Sequence, residues 1–112
     1  IDAKGLRISF PVEVRFTAGD DLFLSTANGR ESAYVAVHMY KGTPFEAYFR
    51  EVEAIMRGLG GRPHWGKMHF LGADELAPLY PEWSAFLAAR RELDPQSVFV
   101  NDYVRRIFGL AD

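Results

Sequence analysis

The chain has 112 residues, 48% of them hydrophobic and 14% aromatic, enough for one small domain with a real core and too apolar for a disordered segment. Thirteen Lys and Arg against fifteen Asp and Glu leave a formal charge of −2, which argues against a surface built to coat phosphate backbones, so no nucleic-acid partner is expected. Cysteine is absent, excluding disulfides and thiolate metal sites, and no apolar run approaches the ~20 residues needed to span a bilayer.

From residue 6 to 16 the chain alternates: Leu6, Ile8, Phe10, Val12, Val14 and Phe16 on one face, Arg7, Ser9, Pro11, Glu13 and Arg15 on the other. Period two over this length predicts a strand, with Pro11 marking an edge, a bulge or an interrupted ladder. Ala18-Gly19-Asp20-Asp21 reads as a turn, residues 22–25 as a short extended piece and Asn28-Gly29 as a second turn. Residues 33–40 predict a second strand, with Ala33, Val35, Val37 and Met39 on one face and Tyr34, Ala36, His38 and Tyr40 on the other.

A helix follows. Thr43 is placed to cap it, Pro44 suits the first position, and Glu46 completes a capping box. Phe45, Phe49, Val52, Ile55, Met56 and Leu59 repeat at helical spacing until Gly60-Gly61 stops the run. Next come the loop Arg62-Pro63-His64-Trp65-Gly66-Lys67 and a short apolar strand over residues 68–71. Gly72-Ala73-Asp74 opens a helical turn ending near Tyr80. Pro81 starts another helix, with Trp83, Phe86, Leu87 and Leu93 as its buried stripe and Asp94-Pro95 as its end. Asn101 caps a last short helix running to Gly109. The fold class expected is α+β: antiparallel sheet strands covered by helices. So narrow a sheet is expected to belong to a larger one, and a chain opening Ile1-Asp2-Ala3 to be the C-terminal part of a bigger protein.

Glu13 and Arg15 project the same way from Cα atoms roughly 7 Å apart, so the carboxylate can hold the guanidinium while donors remain for an anion or hydroxyl. The plainer alternative is a solvated ion pair worth under ~1 kcal/mol. His38 and Tyr40 share a face that joins Glu13 and Arg15 if the two strands are neighbours; a hydrogen-bonded core histidine is the other reading of His38. The loop presents Lys67 as a fixed cation, or it is a solvated basic loop whose Trp65 packs on the core. His64 and His69 lack metal-ligand spacing, and no metal is expected.

Four motifs in order, Val12-Glu13-Val14-Arg15-Phe16, Val35-Ala36-Val37-His38, Arg62-Pro63-His64-Trp65-Gly66-Lys67, and Leu93-Asp94-Pro95 with Phe99-Val100-Asn101-Asp102-Tyr103, resemble the C-terminal region of the sugar-1,4-lactone oxidases and dehydrogenases. These are FAD-dependent flavoproteins of the vanillyl-alcohol-oxidase type, including gulonolactone, galactonolactone and arabinonolactone enzymes and the related alditol oxidases. The resemblance implies that residues 1–112 are the C-terminal substrate (cap) domain portion of such an enzyme. Its FAD-binding domain would lie upstream in the same protein and hold most of the FAD. The implied reaction passes hydride from a substrate C–H to flavin N5, and the chain alone is expected to be inactive. By the same resemblance Glu13, Arg15 and Lys67 are catalytic, and Glu13, Arg15, Tyr40 and Lys67 contact a small sugar lactone or polyol. His64, Lys67 and Asn101 then face the cofactor. Alditol oxidases carry a small hydroxyl residue where Tyr40 aligns, which favours a lactone substrate. An alditol oxidase and a non-catalytic binding module are the alternatives. The expected location is cytoplasmic, with membrane association left open.

Overall fold

Alternation along two segments produces one antiparallel pair. In the computed structural model, which describes residues 1–111, β1 (Glu13–Thr17) pairs with β2 (Ser32–Ala36) in the register Glu13↔Ala36, Val14↔Val35, Arg15↔Tyr34, Phe16↔Ala33 and Thr17↔Ser32. Directly opposed residues share a face, so Val14, Phe16, Ala33 and Val35 line one side of the sheet and Glu13, Arg15, Tyr34 and Ala36 the other.

Both strands are shorter than expected. Residues 6–12 have no ladder partner, because the pairing ends where Glu13 meets Ala36 and Pro11 has no N–H to donate. Strict alternation would set Phe10 beside Val12 and Val14. Its ring instead lies 4.4 Å from that of Tyr40 and 6.0 Å from His38, so the period breaks at Pro11. Residues 22–25 form a turn rather than an extended piece: the Asp20 carboxylate accepts from Leu22 N (3.1 Å) and Ser25 Oγ (2.5 Å). Residues 68–71 form no strand either, because side chains take their backbone groups. Phe70 N donates to Glu53 Oε2 (2.8 Å), and Arg106 donates to Leu71 O (2.6 Å).

Helix α1 (Glu46–Gly58) ends as Gly60-Gly61 predicts. Gly60 sits at φ 68°, its N–H bonds Arg57 O and the Gly61 N–H bonds Met56 O, the pair of contacts that closes a Schellman stop. Its start differs from expectation: Thr43 Oγ1 donates to Tyr40 O (2.6 Å) and Glu46 pairs with Arg50, so no capping box forms. Tyr48 is its buried residue, while Ile55 and Leu59 of the expected stripe are exposed, Leu59 by 75%.

The core sits elsewhere. Helix α2 (Ala73–Leu76), a 3-10 turn (Ala77–Leu79), α3 (Trp83–Leu93) and α4 (Asp102–Phe108) gather Leu71, Leu76, Tyr80, Trp83 and Ile107, with Leu24, Trp65, Leu87 and Phe108 packed against them. Helix α3 stops before Asp94-Pro95 as expected, and the Asp94 carboxylate accepts from Val98 N and Phe99 N. Leu93, expected in the buried stripe, is exposed. Asn101 caps α4, its Oδ1 accepting from Val104 N at 2.9 Å.

The radius of gyration is 15.9 Å, against ~13 Å for a compact chain of this length. The excess goes with an open sheet. Val12, Val14, Phe16 and Val35 present an uncovered apolar face, Phe16 with 82% of its surface exposed. Burying such a face is what ordinarily stabilises a narrow sheet.

Candidate functional site

On the polar face of the sheet, Glu13 and Arg15 form an ion pair through Glu13 Oε1 and Arg15 Nε, and the Arg15 side chain keeps 76% of its surface exposed. His38 Nε2 lies 3.8 Å from Glu13 Oε2, so one carboxylate faces both groups. An exposed pair adds under ~1 kcal/mol to stability. Its chemical use lies in the remaining guanidinium donors, held in a planar fork and open to an oxyanion or hydroxyl. Tyr40 joins this cluster through Phe10, on which its ring packs.

The basic loop is fastened from several sides. Arg62 donates to Leu79 O (2.8 Å), Asn28 O (2.8 Å) and Thr26 O (3.3 Å), and its guanidinium stands over the Tyr80 ring at 5.0 Å. Burial, then Arg30, lowers the Arg62 pKa, and it remains a cation shared among carbonyls. The Trp65 indole donates to Leu24 O (2.7 Å) and stacks on Tyr80 at 5.0 Å. From α4, the Tyr103 hydroxyl donates to Trp65 O (2.7 Å) and lies 2.9 Å from His69 Nε2. Burial, then Arg106, holds His69 below the usual histidine range, with Glu53 opposing.

With Trp65 and Arg62 inward, the other side chains of the loop turn out. His64 is exposed, its Nδ1 accepting from Gly66 N (3.0 Å), which leaves Nε2–H to donate. Lys67 is exposed, and among the described residues its ammonium has no ion-pair or hydrogen-bond partner. Both alternatives for the loop therefore hold in part: Trp65 packs on the core, Arg62 does not face water, and Lys67 is a presented cation.

Glu13, Arg15, His38 and Tyr40 come together; His64 and Lys67 form a second group. No hydrogen bond or ion pair joins the two groups among the described residues. They are linked through the scaffold, since Tyr34, opposite Arg15 in the sheet, bonds Thr26 Oγ1 (2.5 Å), and Thr26 O accepts from Arg62. Asn101 stands at the start of α4 with its Oδ1 occupied by the cap. Sequence reasoning passed over Tyr34, His69 and Tyr103 as contributors. Tyr103 lay inside a quoted motif, and His69 drew notice only for lacking metal spacing. Their value comes from contacts 8 to 38 residues apart in the chain, which spacing does not reveal.

The described residues thus form an α+β unit with one uncovered apolar sheet face and two outward polar groups, one carrying Arg15 and the other Lys67. The chain belongs to the D-arabinono-1,4-lactone oxidase family, which matches residues 1–107. It is similar to an L-gulono-1,4-lactone dehydrogenase of Mycobacterium tuberculosis, 57% identical over 106 residues, covering 95% of this chain and 25% of that protein. An L-gulonolactone oxidase of Bos taurus is 42% identical over 103 residues (88% and 23%). An alditol oxidase of Streptomyces is 36% identical over 96 residues (83% and 23%). The chain thus spans about a quarter of the length of the curated relatives it matches.

Proposed function

We propose that residues 1–112 are the C-terminal substrate (cap) portion of an FAD-dependent enzyme that oxidises a CH–OH group of a sugar-1,4-lactone. The flavin-binding part lies upstream in the same protein. The observation that carries this reading is the Glu13–Arg15 pair with His38 beside it, on an exposed sheet face, in a chain of this family. Higher identity to proteins named for gulonolactone than to the one named for an alditol supports the lactone over the polyol. A cytoplasmic location, with membrane association left open, is part of the same proposal. Among the described residues no helix is long and apolar enough to cross a membrane.

The donor set fits a flavin. A flavin taking electrons gains negative charge on its pyrimidine edge, and the outward groups here are an unpaired ammonium at Lys67, an imidazole N–H at His64 and the guanidinium of Arg15. FAD, when bound, supplies the acceptor for the substrate's hydride. Arg15 binds a substrate oxygen and stabilises charge developing there. Glu13 orients Arg15 and accepts from sugar hydroxyls. Tyr40 walls the sugar, while Lys67 reaches both substrate and cofactor, with His64 and Asn101 on the cofactor side. The uncovered face of Val12, Val14, Phe16 and Val35 is where the upstream part packs.

Substrate class is tested by the kcat/KM ratio of the full-length protein for an aldono-1,4-lactone against the alditol of equal carbon number. A lactone preference on the order of 100-fold is expected, since a pocket built to pair polar groups discriminates through them. Preference for the alditol would move the chain to the sugar-alcohol branch. Turnover of neither, without bound flavin, would leave a binding module.

A further inference from the structure

The peptide between Trp65 and Gly66 is clamped at both ends. Its carbonyl accepts from Tyr103 (2.7 Å), and its N–H donates to His64 Nδ1 (3.0 Å). A peptide unit is rigid and planar, so fixing the carbonyl also fixes the N–H. Gly66 lacks a Cβ and imposes little torsional preference of its own, so the orientation of this plane is left to the clamp. That plane aims the His64 ring on one side and leads directly into Lys67 on the other; the Lys67 N–H in turn bonds His64 O at 3.0 Å.

Tyr103 is itself oriented. A phenol hydroxyl has one proton, and Trp65 O, an acceptor without a proton, takes it. The hydroxyl then accepts from His69 Nε2–H at 2.9 Å, which puts a proton on His69 Nε2. Burial first, and then Arg106 on α4, push the His69 pKa down against the opposing Glu53 on α1, which favours the uncharged ring.

We infer that Tyr103, oriented by His69, is a positioning residue: through the Trp65–Gly66 peptide it sets the pose in which the loop presents Lys67 and His64 for the oxidation proposed above. The inference rests on the reading of Lys67 as a working cation and adds what aims it. Arg62 and the indole fasten the loop to the core, while Tyr103 sets the peptide that the two outward side chains flank.

The test is a double-mutant cycle in the full-length protein, read as the rate of flavin reduction by an aldono-1,4-lactone, with flavin absorbance and the melting temperature as controls. Tyr103→Phe is expected to slow reduction about 10-fold while bound flavin is retained, misplacement of a catalytic group being costly even without loss of contacts. Adding Tyr103→Phe to Lys67→Ala is expected to cost clearly less than the about 10-fold that it costs the wild type, because residues acting through one group are not additive and only the path through His64 remains. Wild-type reduction in Tyr103→Phe beside a slow Lys67→Ala, or effects that multiply, overturns the inference and leaves the function standing. A wild-type rate in Lys67→Ala removes Lys67 from the chemistry and the inference with it. Should Tyr103→Phe fail to fold, His69→Gln and His69→Leu take its place. Gln keeps a donor at the Nε2 position and is expected to retain most of the rate that Leu loses; equal rates in the two overturn the positioning role.

Discussion

Replacing Arg15 with alanine in the full-length protein is expected to slow flavin reduction by ~100- to 1,000-fold, the usual loss when one preorganised donor to developing charge is removed. The guanidinium pairs with Glu13 through Nε while the side chain stays 76% exposed, so donors remain open to a ligand. Folding should be indifferent, because the side chain is three-quarters exposed and the exposed pair contributes under ~1 kcal/mol. The melting temperature and flavin content of Arg15→Ala should therefore match the wild type while single-turnover reduction collapses. Arg15→Lys restores charge but not the planar fork and should recover only part of the rate. A wild-type reduction rate in Arg15→Ala would remove Arg15 from the chemistry, and equal loss of rate and melting temperature would make it structural.

A large effect on stability is expected at Trp65. Its indole packs on Tyr80 and Phe108, near Trp83, and its N–H bonds Leu24 O. Truncating a core aromatic costs about 3–5 kcal/mol, and because Trp65 is only partly buried the lower end applies, about 3 kcal/mol for Trp65→Ala. Against the 5–15 kcal/mol of a typical domain that is a large fraction. Trp65→Phe keeps much of the packing and loses mainly the hydrogen bond, about 1 kcal/mol. Thermal and denaturant melts of the full-length protein should rank wild type, Trp65→Phe, Trp65→Ala in falling order. Equal stability of the alanine variant would mean that the loop does not depend on its anchor.

Period two in residues 6–16 and 33–40 was enough to put Glu13 with Arg15 and Tyr34 with His38 on one face of each strand, because the pleat leaves no other choice; that the two strands pair, with Arg15 opposite Tyr34, came with the fold. Period two overstated their length, since a ladder ends where its partner ends and Pro11 interrupts the alternation. Gly60-Gly61 was legible as a helix stop because the left-handed residue has a chemical signature. Thr43 misled because a hydroxyl near a helix start has other acceptors within reach, here Tyr40 O. The stripe on α1 misled for a different reason: periodicity says which residues share a face, not what lies opposite, and here nothing described covers Ile55 and Leu59. In the site, the residue types at Glu13, Arg15 and Lys67 were readable from chemistry and motif. The contacts that hold the loop bearing Lys67, Arg62 to three carbonyls and Tyr103 to Trp65 O, join distant segments and emerged only with the fold.

The most direct measurement is anaerobic mixing of the full-length protein with an aldono-1,4-lactone while the oxidised-flavin absorbance is followed. A chain that forms the substrate side of a lactone-oxidising flavoenzyme predicts saturable bleaching of that band in the wild type. A protein that binds flavin and keeps its oxidised spectrum in lactone, or that carries no flavin, contradicts the account.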